Sequence, residues 1–134
     1  MTTRRELGPI TRSEGQITCF HFYNDTHLFC GTEKGHILVW KVKHWEQLPS
    51  LQGHTGRVNS ISVHPKGSLA LSTSQDKTLK LWDLAKGTVV HTNKLKFEAD
   101  FVAWSKDGEH YIIVSQNRTV LYSVLGKKEV VLDS

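Results

Sequence analysis

His54, Ser72 and Asp76 are the three side-chain types from which a nucleophile, a general base and an orienting carboxylate are built. Such a set needs its serine on an exposed, strained elbow beside backbone oxyanion donors, and no Gly-x-Ser-x-Gly stretch occurs here. Eight histidines follow one another along the chain: His21, His27, His36, His44, His54, His64, His91 and His110. None has the i, i+4 spacing that presents two rings to one metal from a helix, and no cysteine pair joins them. Cys19 and Cys30, eleven residues apart, make neither a disulfide framework nor a zinc ligand set, and read as small buried thiols in a reducing compartment. No Gly-x-x-x-x-Gly-Lys phosphate loop occurs either. The expectation is a protein with no catalytic residues, no metal site and no cofactor.

The elements that hold these residues come from a chain of 134 residues, 38% hydrophobic and 22% charged, with 10 Gly and 3 Pro, a globular composition. The longest apolar runs, such as Phe101–Trp104 and Tyr111–Val114, are four residues, against the roughly 20 of a membrane-spanning helix, so no membrane partner is expected. The start, Met1-Thr2-Thr3-Arg4-Arg5-Glu6, has no apolar segment behind it and predicts no secretory signal. Asn24-Asp25-Thr26 and Asn117-Arg118-Thr119 then read as turns rather than glycosylation sites. The net charge of +4 is spread in pairs such as Lys41 and Lys43, or Lys94 and Lys96, a mildly basic surface that admits RNA or acidic proteins.

The organisation is a repeat. Ile17-Thr18-Cys19-Phe20-His21-Phe22 aligns with Val58-Asn59-Ser60-Ile61-Ser62-Val63 and with Ala99-Asp100-Phe101-Val102-Ala103-Trp104, each 41 residues on. All three place apolar residues at i, i+3 and i+5, the pattern of a strand with a bulge that re-aims one side chain. Turn residues follow at Tyr23-Asn24-Asp25, His64-Pro65-Lys66-Gly67 and Ser105-Lys106-Asp107-Gly108. Second strands are expected at Leu28–Cys30, Leu69–Leu71 and Tyr111–Ile113, and third strands ending on an aromatic at Ile37–Trp40, Leu79–Trp82 and Val120–Tyr122. Short fourth strands fit Glu46–Leu51, Thr88–His91 and Glu129–Leu132. Four antiparallel strands in about 41 residues is the unit of a β-propeller.

The second unit runs from Gly53-His54 through Val58…Val63-His64-Pro65-Lys66-Gly67 to Leu71-Ser72-Thr73-Ser74-Gln75-Asp76-Lys77-Thr78-Leu79-Lys80-Leu81-Trp82-Asp83, and resembles a full WD repeat. Lys43-His44-Trp45-Glu46-Gln47-Leu48, His64–Ser72, Asp76-Lys77-Thr78-Leu79 and Val102–Ser105 leading into Gly108–Tyr111 resemble the branch of that family that interacts with p21-activated kinase and serves ribosome assembly. Units one and three depart from the pattern: Gly-His falls at Arg12-Ser13 and Lys94-Leu95, and Trp-Asp reads Trp40-Lys41 and Tyr122-Ser123. The resemblance implies an all-β fold, a partial WD-repeat β-propeller of three four-stranded blades, against the ring of about seven that the family closes. Repeats would span residues 13–52, 53–93 and 94–134, with residues 1–12 the last strand of a preceding blade and open edges at both ends of the array.

By resemblance, His54, Ser72, Asp76 and Trp82 form a structural hydrogen-bond tetrad. Lys34, Arg57, Lys77, Lys94 and Lys96 would then share one face as a partner-binding rim, and Trp45, off the repeat register, is a candidate contact. The implied function is a non-enzymatic scaffold in the nucleus and nucleolus, the alternative location being the cytoplasm. It would serve large-ribosomal-subunit biogenesis and restrain p21-activated kinase signalling. The implied partners are pre-ribosomal assembly factors, ribosomal proteins, p21-activated kinase and pre-ribosomal RNA, with self-association through the open blade edges. The alternative is a general WD-repeat adaptor in signalling or ubiquitin ligation.

Overall fold

A computed structural model describes residues 16–116, 119–123 and 129–132. The proposed strand within residues 1–12, and the Arg12-Ser13 position, lie outside the described residues. Twelve strands follow in order among those residues. The first four are β1 (Ile17–Tyr23), β2 (His27–Thr32), β3 (His36–Lys41) and β4 (Glu46–Gln52). The next four are β5 (Val58–Val63), β6 (Leu69–Ser74), β7 (Thr78–Asp83) and β8 (Thr88–Lys94). The last four are β9 (Phe101–Trp104), β10 (His110–Val114), β11 (Thr119–Ser123) and β12 (Glu129–Leu132). Each group of four pairs antiparallel in chain order, giving three four-stranded meanders, and the only helical element described is a 3-10 turn at Lys43–Trp45. The fold is all-β, an arc of three blades.

The i, i+3, i+5 pattern has a structural cause. Pairing between β1 and β2 shifts register between Ile17 and Cys19, and pairing between β5 and β6 shifts between Val58 and Ser60. The residues left over are Thr18 and Asn59. Each turns its side chain to the next blade, Thr18 Oγ1 donating to the Val58 carbonyl and Asn59 Nδ2 to the Ala99 carbonyl at 2.9 Å. In the third blade the ladder starts at Phe101, two residues after the expected Ala99. The Ala99 carbonyl is already taken by Asn59, while Ala99 itself is fully buried.

Neighbouring blades bury apolar faces against each other. Phe29, Ile37, Val39 and Leu51 of the first meet Val58, Ile61, Val63, Ala70 and Trp82 of the second. Leu71 and Leu79 of the second meet Ala99, Val102 and Ile113 of the third. Polar bonds repeat at the same seams: Tyr23 Oη donates to the Pro65 carbonyl at 2.9 Å, and Ser62 Oγ accepts from the Trp104 amide at 3.1 Å. On the outer face of the first blade, Ile17, Phe20 and Phe22 stand where Val58, Ile61 and Val63 stand in the second, yet Phe20 is 68% and Phe22 51% exposed.

Candidate functional site

The loop leaving β4 carries His54, β6 carries Ser72, the β6–β7 turn carries Asp76 and β7 carries Trp82. The structure brings all four together. Trp82 Nε1 donates to Ser72 Oγ at 2.8 Å, Ser72 Oγ lies 2.7 Å from His54 Nε2, and His54 Nδ1 lies 3.0 Å from Asp76 Oδ2. One proton arrangement satisfies the chain: the Ser72 hydroxyl donates to Nε2 and Nδ1–H donates to the carboxylate, leaving the imidazole neutral. Burial pushes the His54 ring down from its ordinary value, against the raising pull of Asp76. Burial also pushes the Asp76 carboxyl up, but hydrogen bonds from Thr78, the Thr55 amide and His54 outweigh it and bring it down to about 2.

Three of these residue types in this order have the outline of a hydrolytic triad, and burial decides against one. Ser72 is fully buried and its oxygen already accepts the Trp82 indole, so no carbonyl substrate reaches it. The arrangement ties the loop entering the second unit to its second and third strands. Among the described residues, no group of three or more His, Cys, Asp or Glu is placed to hold a metal ion.

At the same end of the strands lies the basic rim. Lys34 occupies the β2–β3 turn, Lys77 the β6–β7 turn, Arg57 the residue before β5, Lys94 the end of β8 and Lys96 the connection to β9, all exposed. Backbone bonds draw four of them together: Gln75 N–H donates to the Arg57 carbonyl at 2.8 Å and Leu95 N–H to the Lys77 carbonyl at 2.8 Å. Lys34 sits on the neighbouring blade, its turn held against the loop of His54 by Gly35. Arg57 is half occupied, with Glu98 at 3.4 Å and Asn59 Oδ1 at 3.1 Å, a surface pair worth about 0–1 kcal/mol that a ligand anion can displace. Trp45 is half-buried and lies in the β3–β4 connection at the opposite end of the strands, so it does not join the rim.

Sequence reasoning missed a recess beside Arg57, about 310 Å³ in volume, lined by Thr18, Asn59 and Asp100. Those three recur every 41 residues, each one position after the apolar residue that opens its unit. That spacing was the available signal.

Comparison with known proteins accounts for this geometry. Residues 45–83 match the family described as WD domain, G-beta repeat. A Gallus gallus protein named p21-activated protein kinase-interacting protein 1-like is 42% identical over 92% of this chain. The Homo sapiens p21-activated protein kinase-interacting protein 1 is 40% identical over 92% of it, and Protein MAK11 of Saccharomyces cerevisiae is 30% identical over 89%. A β-propeller domain from Myceliophteria thermophila, solved by crystallography, superimposes with a TM-score of 0.74 at 21% identity, over 89% of this chain and 39% of that one.

The chain belongs to the WD-repeat family.

It spans about a third of the length of the curated relatives it matches, 34% of the Gallus gallus protein and 32% of the human one. The WD-repeat pattern is complete in its second blade and diluted on either side. Cys30 of the first blade stands at the register position of Ser72, and Trp40 at that of Trp82, with no hydrogen-bond partner for its indole Nε1.

Proposed function

We propose that this chain is a non-enzymatic WD-repeat scaffold that acts in large-ribosomal-subunit biogenesis and in negative regulation of p21-activated kinase signalling. The observation that carries the reading is the 42% identity, over 92% of the chain, to a protein whose name states an interaction with that kinase. The geometry supports a scaffold. The Ser-His-Asp constellation is buried and internally saturated, while the exposed groups at the same end include five cations, interspersed with Glu33 and Asp100.

In this proposal repeats run over residues 13–52, 53–93 and 94–134, and His54, Ser72, Asp76 and Trp82 are structural. Lys34, Arg57, Lys77, Lys94 and Lys96 meet acidic segments of pre-ribosomal proteins, the kinase or pre-ribosomal RNA, and Trp45 adds a contact from the far side. The setting is the nucleolus. Affinity purification of the tagged chain tests the pathway: the expected result is recovery of pre-ribosomal RNA with large-subunit assembly factors, together with p21-activated kinase. Recovery of a ubiquitin ligase or another signalling protein without ribosomal material overturns it. For RNA held by the rim, affinity falls steeply between about 50 and 200 mM salt, and a flat salt response rules that contact out.

A further inference from the structure

At the end of the strands opposite the rim, the seam between the first and second blades opens into a groove of about 560 Å³. Its walls are mostly apolar, with Phe29, Val39 and Leu48 on one side and Val63 and Leu84 on the other. The groove has a local cause. The seam between the second and third blades is filled by rings: His64 packs edge-on against Trp104 with centroids 4.6 Å apart, Trp104 against Tyr111 at 5.5 Å, and Tyr111 on Tyr122 at 5.1 Å. Val63 is the repeat equivalent of Trp104, 41 residues earlier. Ala70, which pairs with Val63, likewise stands where Tyr111 pairs with Trp104, and valine and alanine in place of an indole and a phenol leave the first seam unfilled.

The charge at its mouth is of one sign. Lys66 in the β5–β6 turn and Lys86 in the β7–β8 turn both line the groove and are exposed. Among the described residues, no Asp or Glu lines it. Neither ammonium is paired with a carboxylate among the described residues, and the nearby Asp83 turns its carboxylate to the Ala85 and Lys86 amides at 2.9 and 3.1 Å. Its volume falls within the range of about 300–1,000 Å³ usual for ligand sites, and a mostly apolar wall with few polar groups is what an apolar anchor needs.

We infer that this groove docks an acidic peptide segment of a partner protein, with one or two large apolar side chains seated between Val39, Leu48 and Val63 and flanking carboxylates on Lys66 and Lys86. A phosphate backbone would meet the two lysines but leave the apolar walls uncovered, so a peptide fits better than nucleic acid. The site lies away from the rim and does not depend on the pathway proposed above.

The test uses the full chain and a fluorescein-labelled peptide with a central Leu-Phe pair flanked on each side by two acidic residues, read by fluorescence anisotropy. The expected result is saturable binding that weakens about tenfold or more in a Lys66→Glu, Lys86→Glu double variant. Replacing the Leu-Phe pair by Ser-Ser abolishes it. Val63→Trp, which copies the filled seam, also abolishes it; if that variant fails to fold by circular dichroism, the exposed lysine pair still decides. Lys34→Glu with Lys77→Glu, on the rim, leaves the affinity within about twofold. Absence of saturable binding up to about 1 mM peptide overturns the inference. So does binding indifferent to the lysine reversal, or displacement of the peptide by polyuridylate as readily as by unlabelled peptide.

Discussion

Asp76 accepts four hydrogen bonds, from His54 Nδ1, the Thr55 amide, and both the amide and hydroxyl of Thr78. Its replacement leaves those donors short of an acceptor beside a buried ring, so Asp76→Ala is expected to cost about 2–3 kcal/mol in urea unfolding. A loss under about 0.5 kcal/mol would contradict the structural role. The same residue sets an acid limit. A carboxyl held at about 2 in the fold and near 3.9 when unfolded gives stability that is full above pH 4 and disappears as pH falls toward 2. That is about 2 kcal/mol over the window, and Asp76→Asn should flatten it. His54, pushed down by burial, is neutral in the fold, so stability also declines as pH falls below the ordinary histidine value of about 6.5. Trp40 offers the converse test. Its Nε1 lacks a partner where Trp82 has Ser72, and Cys30 occupies the equivalent site. Cys30→Ser should supply the acceptor and raise stability by about 0.5–1.5 kcal/mol, seen as a higher urea midpoint at unchanged slope.

Turns make the strands into blades, and their glycines are not equivalent. Gly35 closes the β2–β3 turn at φ +94°, and a Cβ there would overlap the His54 carbonyl oxygen across the seam. Gly87 closes the β7–β8 turn at φ +69°, with the nearest atom, Leu51 Cδ2, at 3.9 Å. Gly87→Ala should therefore cost only the left-handed penalty of about 1 kcal/mol, while Gly35→Ala adds a backbone clash and should cost more than about 2 kcal/mol. Equal thermal shifts for the two would show that the seam at Gly35 yields. Lys77 holds the position of Gly35 in the next blade at φ +66°, which makes this rim residue a strained lysine rather than a relaxed surface charge. Strand positions were legible in the sequence because the turns sit at fixed offsets. The start of β9 at Phe101 was not, since its equivalent in the second unit, β5, begins two repeat positions earlier at Val58.

Across the whole molecule, stability is shared between blades rather than held within each. The two described seams bury Trp82, Ile37, Val58, Val102 and Ile113 at about 1% exposure or less, and no single meander contains a core of its own. Such an array behaves as repeats coupled through neighbours, so a seam lesson learned at one blade transfers to the next. The outer face of the first blade shows the converse: Phe20 and Phe22 occupy core positions but stay 68% and 51% exposed, packed edge-on against each other at 6.2 Å. The 134-residue polypeptide in isolation is therefore expected to self-associate with rising concentration in sedimentation experiments, and Phe20→Glu with Phe22→Glu to suppress it. A concentration-independent monomer would mean that this face is covered within the chain.

Period, turn chemistry and the Trp-Asp signature are local in sequence. They determined by themselves that the chain is all-β and made of repeated four-stranded units. The residues later found joined as His54, Ser72, Asp76 and Trp82 were also named from the sequence, because family resemblance supplied their mutual positions. Only the tertiary structure decided what depends on packing between blades. It closed Ser72 off from any substrate, placed Trp45 at the end away from the rim that the resemblance implied, and aimed the bulged Thr18 and Asn59 across the seams. It also decided that one seam is filled and the other open. The reason is the difference in size between Trp104 and Val63 and between their pairing neighbours Tyr111 and Ala70, which acquires meaning only when the facing blade fixes how much space there is to fill.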